Sequence, residues 1–319
     1  MLNTADNRVG KEGTGMDNSV NMKALTNDIA VDMNDNPSPF GWREGDWLQE
    51  EDLSDGGFGH YIALNALQKS IIIAINQLLV VNKQILKKYL TRQGIIVSDH
   101  CLAQKLKKLT RNHYLRRYVF HNADGSVGLM RIYTIGRKGK GYLVCNQYKM
   151  RLEGYITSRN ITQIKKILCA NQAVLGTTQD NDNMVFETAK SFWCDKKGTG
   201  NTNKIFRALA YATDEKKSYI IQPFRNDKNI PGLINKLSRI ETVLKELGTA
   251  NMNIAADTTV IIVAETQSTM KYIGEILSRK RYSKFRLAVT YDRLIGSEKK
   301  LEDKIYYVNV ELFLEESIS

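Results

Sequence analysis

The chain has 319 residues, of which 42% are hydrophobic and 8% aromatic, and a formal net charge of +12. That length and apolar content exclude a wholly disordered chain and predict two domains, or one large domain with a tail. The longest apolar run, Ile71 to Val81, is interrupted by Asn76 and Gln77 and is too short to cross a bilayer.

The N-terminus carries no basic stretch followed by an apolar segment, so no secretory signal is expected. Cys101, Cys145, Cys169 and Cys194 lie far apart with no C-x-x-C pair, which predicts reduced thiols in a cytoplasmic protein and no zinc site. The charge is sharply partitioned. Residues 1–58 hold 4 basic and 12 acidic side chains, residues 59–150 hold 16 and 2, and residues 151–319 hold 26 and 20. A segment as one-sided as 59–150 has the electrostatic signature of a protein that binds a polyanion.

Residues 1–57 read as an acidic, largely disordered leader. Met1 to Asn36 shows no sustained apolar period and cannot bury enough surface to offset its ordering entropy. Beyond it, Phe40, Trp42, Trp47 and Leu48 stand in an acidic setting. They either dock on the neighbouring domain or form a linear motif for a partner protein. A further expectation is that the leader lies over the basic segment and competes with its polyanion.

Residues 58–150 form the basic domain. Leu64, Leu67, Ile71, Ile75 and Leu78 recur at helical spacing. Asn82 caps a second helix with Ile85, Leu86 and Leu90 inward and Gly94 at its end. Ser98 caps a third, in which Leu102, Leu106 and Leu109 form the buried stripe and His100, Gln104, Lys107, Lys108 and Arg111 the opposite face. Two β-rich runs follow, Tyr114–His121 and Ser126–Tyr133, joined through the turn signal Asp124-Gly125. Arg116, Arg117 and Arg131 lie on that hairpin, and Arg137, Lys138 and Lys140 lie just beyond it. The run GRKGKG lacks the spacing of a dinucleotide-binding loop and reads as a basic helix start.

Three short helices followed by a hairpin resemble a winged helix-turn-helix of the MarR and PadR type. Ser98, Leu102, Leu106 and Leu109 carry the likeness, together with Tyr133, Ile135 and Gly139 at the exit from the hairpin; Gly136 stands where that boundary usually has Thr. The resemblance implies double-stranded DNA as the partner, with the third helix in the major groove and the hairpin on phosphates or the minor groove. The expected DNA-binding residues are Ser98, His100, Gln104, Lys107, Lys108, Arg111, Arg116, Arg117, Arg131, Arg137, Lys138 and Lys140.

Residues 155–319 read as an α/β domain: a helix over Ile161–Leu175, strands near 184–194, 205–212 and 218–224, a long helix from Pro231 closed by Gly248, the apolar strand TTVIIVAE, another helix, the strand KFRLAVTYD and a final edge strand. The fold class is therefore α+β, a basic helical domain followed by a mixed-sheet domain.

Helix, three-strand meander, helix and strand resemble the restriction-endonuclease-like core. Behind a winged helix, this order is similar to the replication-relaxation family of plasmids and integrative elements in Gram-positive bacteria, over about residues 60–280. Lys236 and TTVIIVAE fit that family. At the position of its Pro-Asp the chain offers only Asn201 and Asn203, and Gln222 and Phe224 stand at its later carboxylate positions, with Arg225 kept.

Holding a catalytic divalent cation needs carboxylate oxygens, and Asp214 and Glu215 beside Lys216 and Lys217 read as a solvated turn. No enzymatic activity, cofactor or metal is expected. The resemblance implies a nucleoid- or plasmid-associated DNA-binding protein of a mobile element, acting in replication or conjugative transfer or their control. A transcription regulator with a C-terminal sensing or dimerisation domain is the alternative. Replication or transfer proteins, docking through Trp42 and Trp47 or the C-terminal domain, and a second copy of the chain are further expected partners; a membrane is not.

Overall fold

The computed structural model describes residues 40, 46–53, 61–121, 127–151, 161–195, 202–225, 229–247 and 254–308. Met1–Asn36, Trp42, the Asp124-Gly125 turn, Asn201, Gly248 and the last eleven residues, all used above, lie outside them. Among the described residues the chain is α+β, with eight α-helices, a four-stranded antiparallel sheet, a six-stranded mixed sheet and a separate two-stranded ribbon.

The first half opens on β1 (Trp47–Glu50). Helix α1 (Ala66–Leu78) starts at a reciprocal cap: Asn65 Oδ1 accepts from Gln68 N at 2.9 Å, and Asn65 N donates to Gln68 Oε1 at 3.1 Å. After the short β2 (Val81–Asn82), Asn82 Oδ1 accepts from Ile85 N at 2.8 Å and caps α2 (Lys83–Arg92). Gly94, with φ at +75°, turns the chain beyond that helix.

Ser98 Oγ accepts from Cys101 N and caps α3 (Asp99–Arg111), whose Leu102, Leu106 and Leu109 are fully buried. Strands β3 (Leu115–His121) and β4 (Val127–Ile135) pair antiparallel and lead into α4 (Arg137–Cys145). Gly139 is required at that junction, because a Cβ there would lie 2.2 Å from the Tyr114 carbonyl oxygen.

The order of the first sheet is β1-β3-β4-β2. Its outer strand comes from the aromatic stretch at the end of the leader, residues 46–53, for which docking on the neighbouring domain was one expectation. Leu48 pairs with Phe120 and is buried, and Phe40 is 1% exposed in the same core. For these two side chains, docking on the adjacent domain is the arrangement adopted. Apolar burial explains it, since two large side chains in a core stabilise by several kcal/mol in order of magnitude.

In the second half α5 (Ile161–Thr177) is followed by β5 (Val185–Thr188) and β6 (Ser191–Asp195), then β7 (Thr202–Arg207) and β8 (Ala210–Thr213). The sequence predicts one strand in each of these stretches. The structure breaks both at the same level, where Ala189 has φ +55°, its N donates to the Leu209 carbonyl and Ala208 N donates to the Lys190 carbonyl. Half of the bent ribbon, β5 and β8, joins the main sheet; the other half, β6 and β7, forms a separate arm with Phe192 stacked on Phe206.

Strand β9 (Lys217–Pro223), α6 (Ile230–Leu247), β10 (Asp257–Ala264), α7 (Gln267–Ser278), β11 (Arg286–Tyr291), α8 (Asp292–Ile295) and the edge strand β12 (Tyr306–Tyr307) complete the order. The sheet runs β12-β11-β10-β9-β8-β5, with β9, β10 and β11 parallel and the outer pairings antiparallel.

Alternation along the parallel strands sets the layers. Tyr219, Ile221, Ile261, Val263 and Ala288 face α5, while Ile220, Val260, Ile262 and Val289 face α6 and α7. The α5 side shares one continuous core with Ile71, Leu86, Leu102 and Leu106 of the first half. Asn171 stands at that junction. Its Nδ2 donates to the carbonyls of Leu78 and Val80, both at 2.8 Å, and its Oδ1 accepts from Thr188 Oγ1 at 2.7 Å. Because Asn171 is fully buried, Asn171→Ala removes three buried hydrogen bonds at once. Urea unfolding is expected to give a loss of about 2–4 kcal/mol; a loss below about 0.5 kcal/mol would mean that the junction does not depend on it.

Candidate nucleic-acid interface

Six of the residues expected to meet DNA line α3. Ser98, His100, Gln104, Lys107, Lys108 and Arg111 are all exposed on the side opposite Leu102, Leu106 and Leu109. At ~1.5 Å per residue the face is about 20 Å long. His100 Nε2 and Gln104 Nε2 lie 2.8 Å apart, so these two side chains brace each other across one turn. Lys107, Lys108 and Arg111 carry no side-chain partner among the described residues.

Asp99 faces the other way, 3.3 Å from Lys83 and 2.8 Å from Lys87 of α2. The hydrogen bond from Lys87 is the main reason its carboxyl sits below the usual range, followed by that from Lys83. Two cations of α2 thus share one carboxylate within the protein, whereas Lys107, Lys108 and Arg111 on the outer face of α3 have none among the described residues.

The hairpin differs. Register brings Glu50 and Glu51 alongside its arginines: Arg116 lies 3.5 Å from Glu50, Arg117 2.7 Å from Glu51 and Arg131 3.6 Å from the same carboxylate. Trp47 stacks on His121 with centroids 4.0 Å apart and planes within 9°. Asp46 forms a buried ion pair with Lys165 of α5, which also lies over the Phe120 ring. The acidic strand therefore supplies counter-charge to the three hairpin arginines that sequence reasoning placed on DNA. The adjacent glutamates Glu50 and Glu51, at and just beyond the end of a four-residue strand, were the legible signal for this; the strand's pairing partner was not.

Beyond the hairpin the expected trio separates. Arg137 is exposed and Lys140 half-buried, whereas Lys138 is 6% exposed with its ammonium 4.7 Å from the centre of the Tyr61 ring. Lys138 is thereby removed from the expected surface, because burial on an aromatic face has replaced solvent as the partner of its charge.

The second half places a different polar cluster at the carboxyl ends of β9, β10 and β11. Arg225 is buried and donates to Asp292 Oδ1 at 2.5 Å and to the carbonyls of Phe224 and Val263 at 2.7 and 3.0 Å. Cys169 Sγ lies 3.2 Å from the same carboxylate oxygen, and burial pushes its thiol well above the ordinary range, which keeps it a neutral donor. Cys101, Cys145 and Cys169 are all free thiols.

Gln222, 2% exposed, accepts a hydrogen bond from Lys236 Nζ, while Phe224 is buried in the core beneath α6. Asp214 caps its turn by accepting from Lys216 N and Lys217 N at 2.8 and 2.7 Å, with the Lys217 amide the main cause of its lowered pKa. Among the described residues no three histidine, cysteine or acidic side chains converge in a way that could hold a metal ion. Lys166, Arg207, Glu265 and Asp292 belong to this cluster and were not singled out from sequence, since no spacing links positions so far apart.

Comparison with known proteins finds no match: no family model, no curated protein and no solved structure. No helix among the described residues is long and apolar enough to cross a membrane.

Lys236 offers a test of the second cluster. Burial, and then repulsion from Lys166 and Arg207, lowers its pKa to about 8. Between that value and ~10.4 the unfolded chain holds a proton that the folded chain has released, so folding stability rises with pH across the window. Relative to Lys236→Met, the wild type is expected to gain about 2–3 kcal/mol between pH 8 and pH 10.5. Unfolding curves that keep a constant separation over that range would contradict the assignment.

Proposed function

We propose that the chain is a sequence-specific duplex-DNA-binding protein that reads the major groove with the exposed face of α3. In this reading α1–α3 with the β3–β4 hairpin form a winged helix-turn-helix. The carrying observation is that Lys107, Lys108 and Arg111 project from one face, beside His100 and Gln104, with no side-chain partner for their charges among the described residues. Phosphates are the complementary surface for such a row, and amide and guanidinium groups at helical spacing suit the hydrogen-bonding edges of bases.

Arg116, Arg117 and Arg131 meet DNA only by exchanging Glu50 and Glu51 for phosphate, so the wing contributes less than the helix. The acidic strand then acts as an internal competitor, the local form of the leader-over-domain arrangement expected from the charge partition.

The second half is read as a degenerate restriction-endonuclease-like domain without catalytic function. Support comes from the order helix, meander, helix, strand, with the β6–β7 arm inserted in the meander, and from Gln222 and Phe224 at the carboxylate positions. The likeness of this pairing of domains to the replication-relaxation family makes replication or conjugative transfer of a mobile element the setting we propose.

Anisotropy titrations of a labelled duplex over a salt series test both the helix and the strand. With about six phosphates neutralised, wild-type affinity is expected to fall roughly a thousandfold between 50 and 200 mM salt. Replacing Gln104, Lys107, Lys108 and Arg111 together with alanine should abolish binding at the higher salt. Glu50→Gln combined with Glu51→Gln should tighten it severalfold at low salt, and these point variants spare the buried Leu48 and Phe40 that a leader deletion would remove. A flat salt response, or full binding by the quadruple variant, would overturn the reading.

A further inference from the structure

Between α7 and β11 the chain reads RKRYSKFR over residues 279–286, five basic side chains in eight with no acidic one. Two of the five are matched within the fold. Arg279 lies 3.3 Å from Glu275, one turn back on α7, and Arg286 donates to both carboxylate oxygens of Asp257 at 2.7 and 2.8 Å. Lys280, Arg281 and Lys284 are exposed and have no side-chain partner among the described residues. Three cations without counter-charge therefore fall within one stretch, 280–284.

The loop that bears them is fixed. Ser283 N and Oγ both donate to Glu241 Oε1 of α6, at 2.7 and 3.1 Å. Tyr282 stacks on Phe285 with ring centroids 4.9 Å apart and planes within 22°, and Phe285 is buried in the core that α6 and α7 share. At the start of the turn, Lys280 N donates to the Leu277 carbonyl at 3.0 Å. A backbone tied at these points has little ordering left to lose on binding.

The loop also lies away from the place where the second half meets α2. It precedes the amino end of β11, whereas Lys88 Nζ of α2 donates to the carbonyl of Gly296, beyond the carboxyl end of that strand, at 3.1 Å. The six residues of β11 between them span about 20 Å.

We infer that the 279–286 loop is a second nucleic-acid contact, in which Lys280, Arg281 and Lys284 neutralise backbone phosphates independently of α3. A nucleic-acid backbone carries phosphates at close and regular spacing, so three cations on a short fixed loop meet it without a shaped pocket. A lipid surface is the poorer match, because Phe285 is buried and the loop exposes no large apolar side chain to insert. The choice of nucleic acid among polyanions rests on the reading of α3, and the loop's own contribution is measured apart from it.

The test is anisotropy titration of the full chain at 50 mM salt with a labelled duplex and, in parallel, a single strand of the same length. The starting variant has Gln104, Lys107, Lys108 and Arg111 replaced by alanine. To it are added either Lys280→Gln, Arg281→Gln and Lys284→Gln, or, as a control, Arg293→Gln, Lys299→Gln and Lys300→Gln. The control removes the same kinds of charge from exposed positions beyond the other end of β11.

The starting variant is expected to keep weak binding that falls roughly fortyfold between 50 and 200 mM salt, as three neutralised phosphates require. The loop substitutions should weaken that binding by about tenfold or more, and the control should leave it nearly unchanged. The nucleic acid whose affinity drops further identifies the form of backbone the loop meets. Near-UV circular dichroism checks the fold, and Lys284→Gln alone, expected to weaken binding severalfold, keeps the test decisive if the triple variant is disturbed.

Absence of all binding by the starting variant, or equal losses from loop and control substitutions, would overturn the proposal. So would a loop variant that binds both nucleic acids normally but no longer sediments with vesicles of phosphatidylcholine and phosphatidylserine. A starting variant that binds like wild type and loses binding with the loop substitutions would instead refute the reading of α3 and leave the loop standing.

Discussion

Compensation of positive charge within the fold governs how this protein presents itself. The segment from 59 to 150 holds 16 basic and 2 acidic side chains, and its own acids cannot balance it. Asp99 serves Lys83 and Lys87, and strand β1 carries Glu50 and Glu51 to the three hairpin arginines. The outer face of α3 receives no such service among the described residues. Exposed ion pairs contribute little to stability, typically ~0–1 kcal/mol. Their significance here is positional, because they determine which cations are available to another polyanion.

The strand that supplies this charge is held by hydrophobic burial. Leu48 and Phe40 are buried in the core of the first half, and the buried pair of Asp46 with Lys165 links the same segment to α5. Helix α5 in turn packs on both the helices of the first half and the sheet of the second, with Asn171 satisfying two carbonyls at the end of α1. Counter-charge, leader and second half are therefore coupled mechanically. A partner that pulled β1 from β3 would expose Arg116, Arg117 and Arg131 at the cost of burying less apolar surface.

Legibility in the sequence followed the range of the interactions involved. The two caps at Asn82 and Ser98, and the buried stripe Leu102, Leu106 and Leu109, are local and were read with accurate boundaries. So were α6, β10, α7 and β11, whose periodicities are strong. The bend that splits 184–194 and 205–212 into two pairs of strands was not legible, because it depends on Ala189 adopting φ +55° opposite Leu209, and neither residue signals a break. The strand in the leader was missed for a related reason: composition argues for disorder, whereas Phe40 and Leu48 find a surface that exists only in the folded chain. The candidate helix face was wholly legible. The fates of Lys138 on the Tyr61 ring and of the hairpin arginines beside Glu50 and Glu51 required the tertiary structure.

The central claim is that α3 is the surface on which DNA lies. Lysine acetylation read by mass spectrometry, with and without saturating duplex at low salt, addresses it directly in the unmodified protein. Lys107 and Lys108 should be protected severalfold when DNA is present, while Lys149, exposed four residues beyond the end of α4, should react at the same rate in both samples. Equal labelling of Lys107 and Lys108 with and without DNA, or protection confined to lysines elsewhere, would contradict the account.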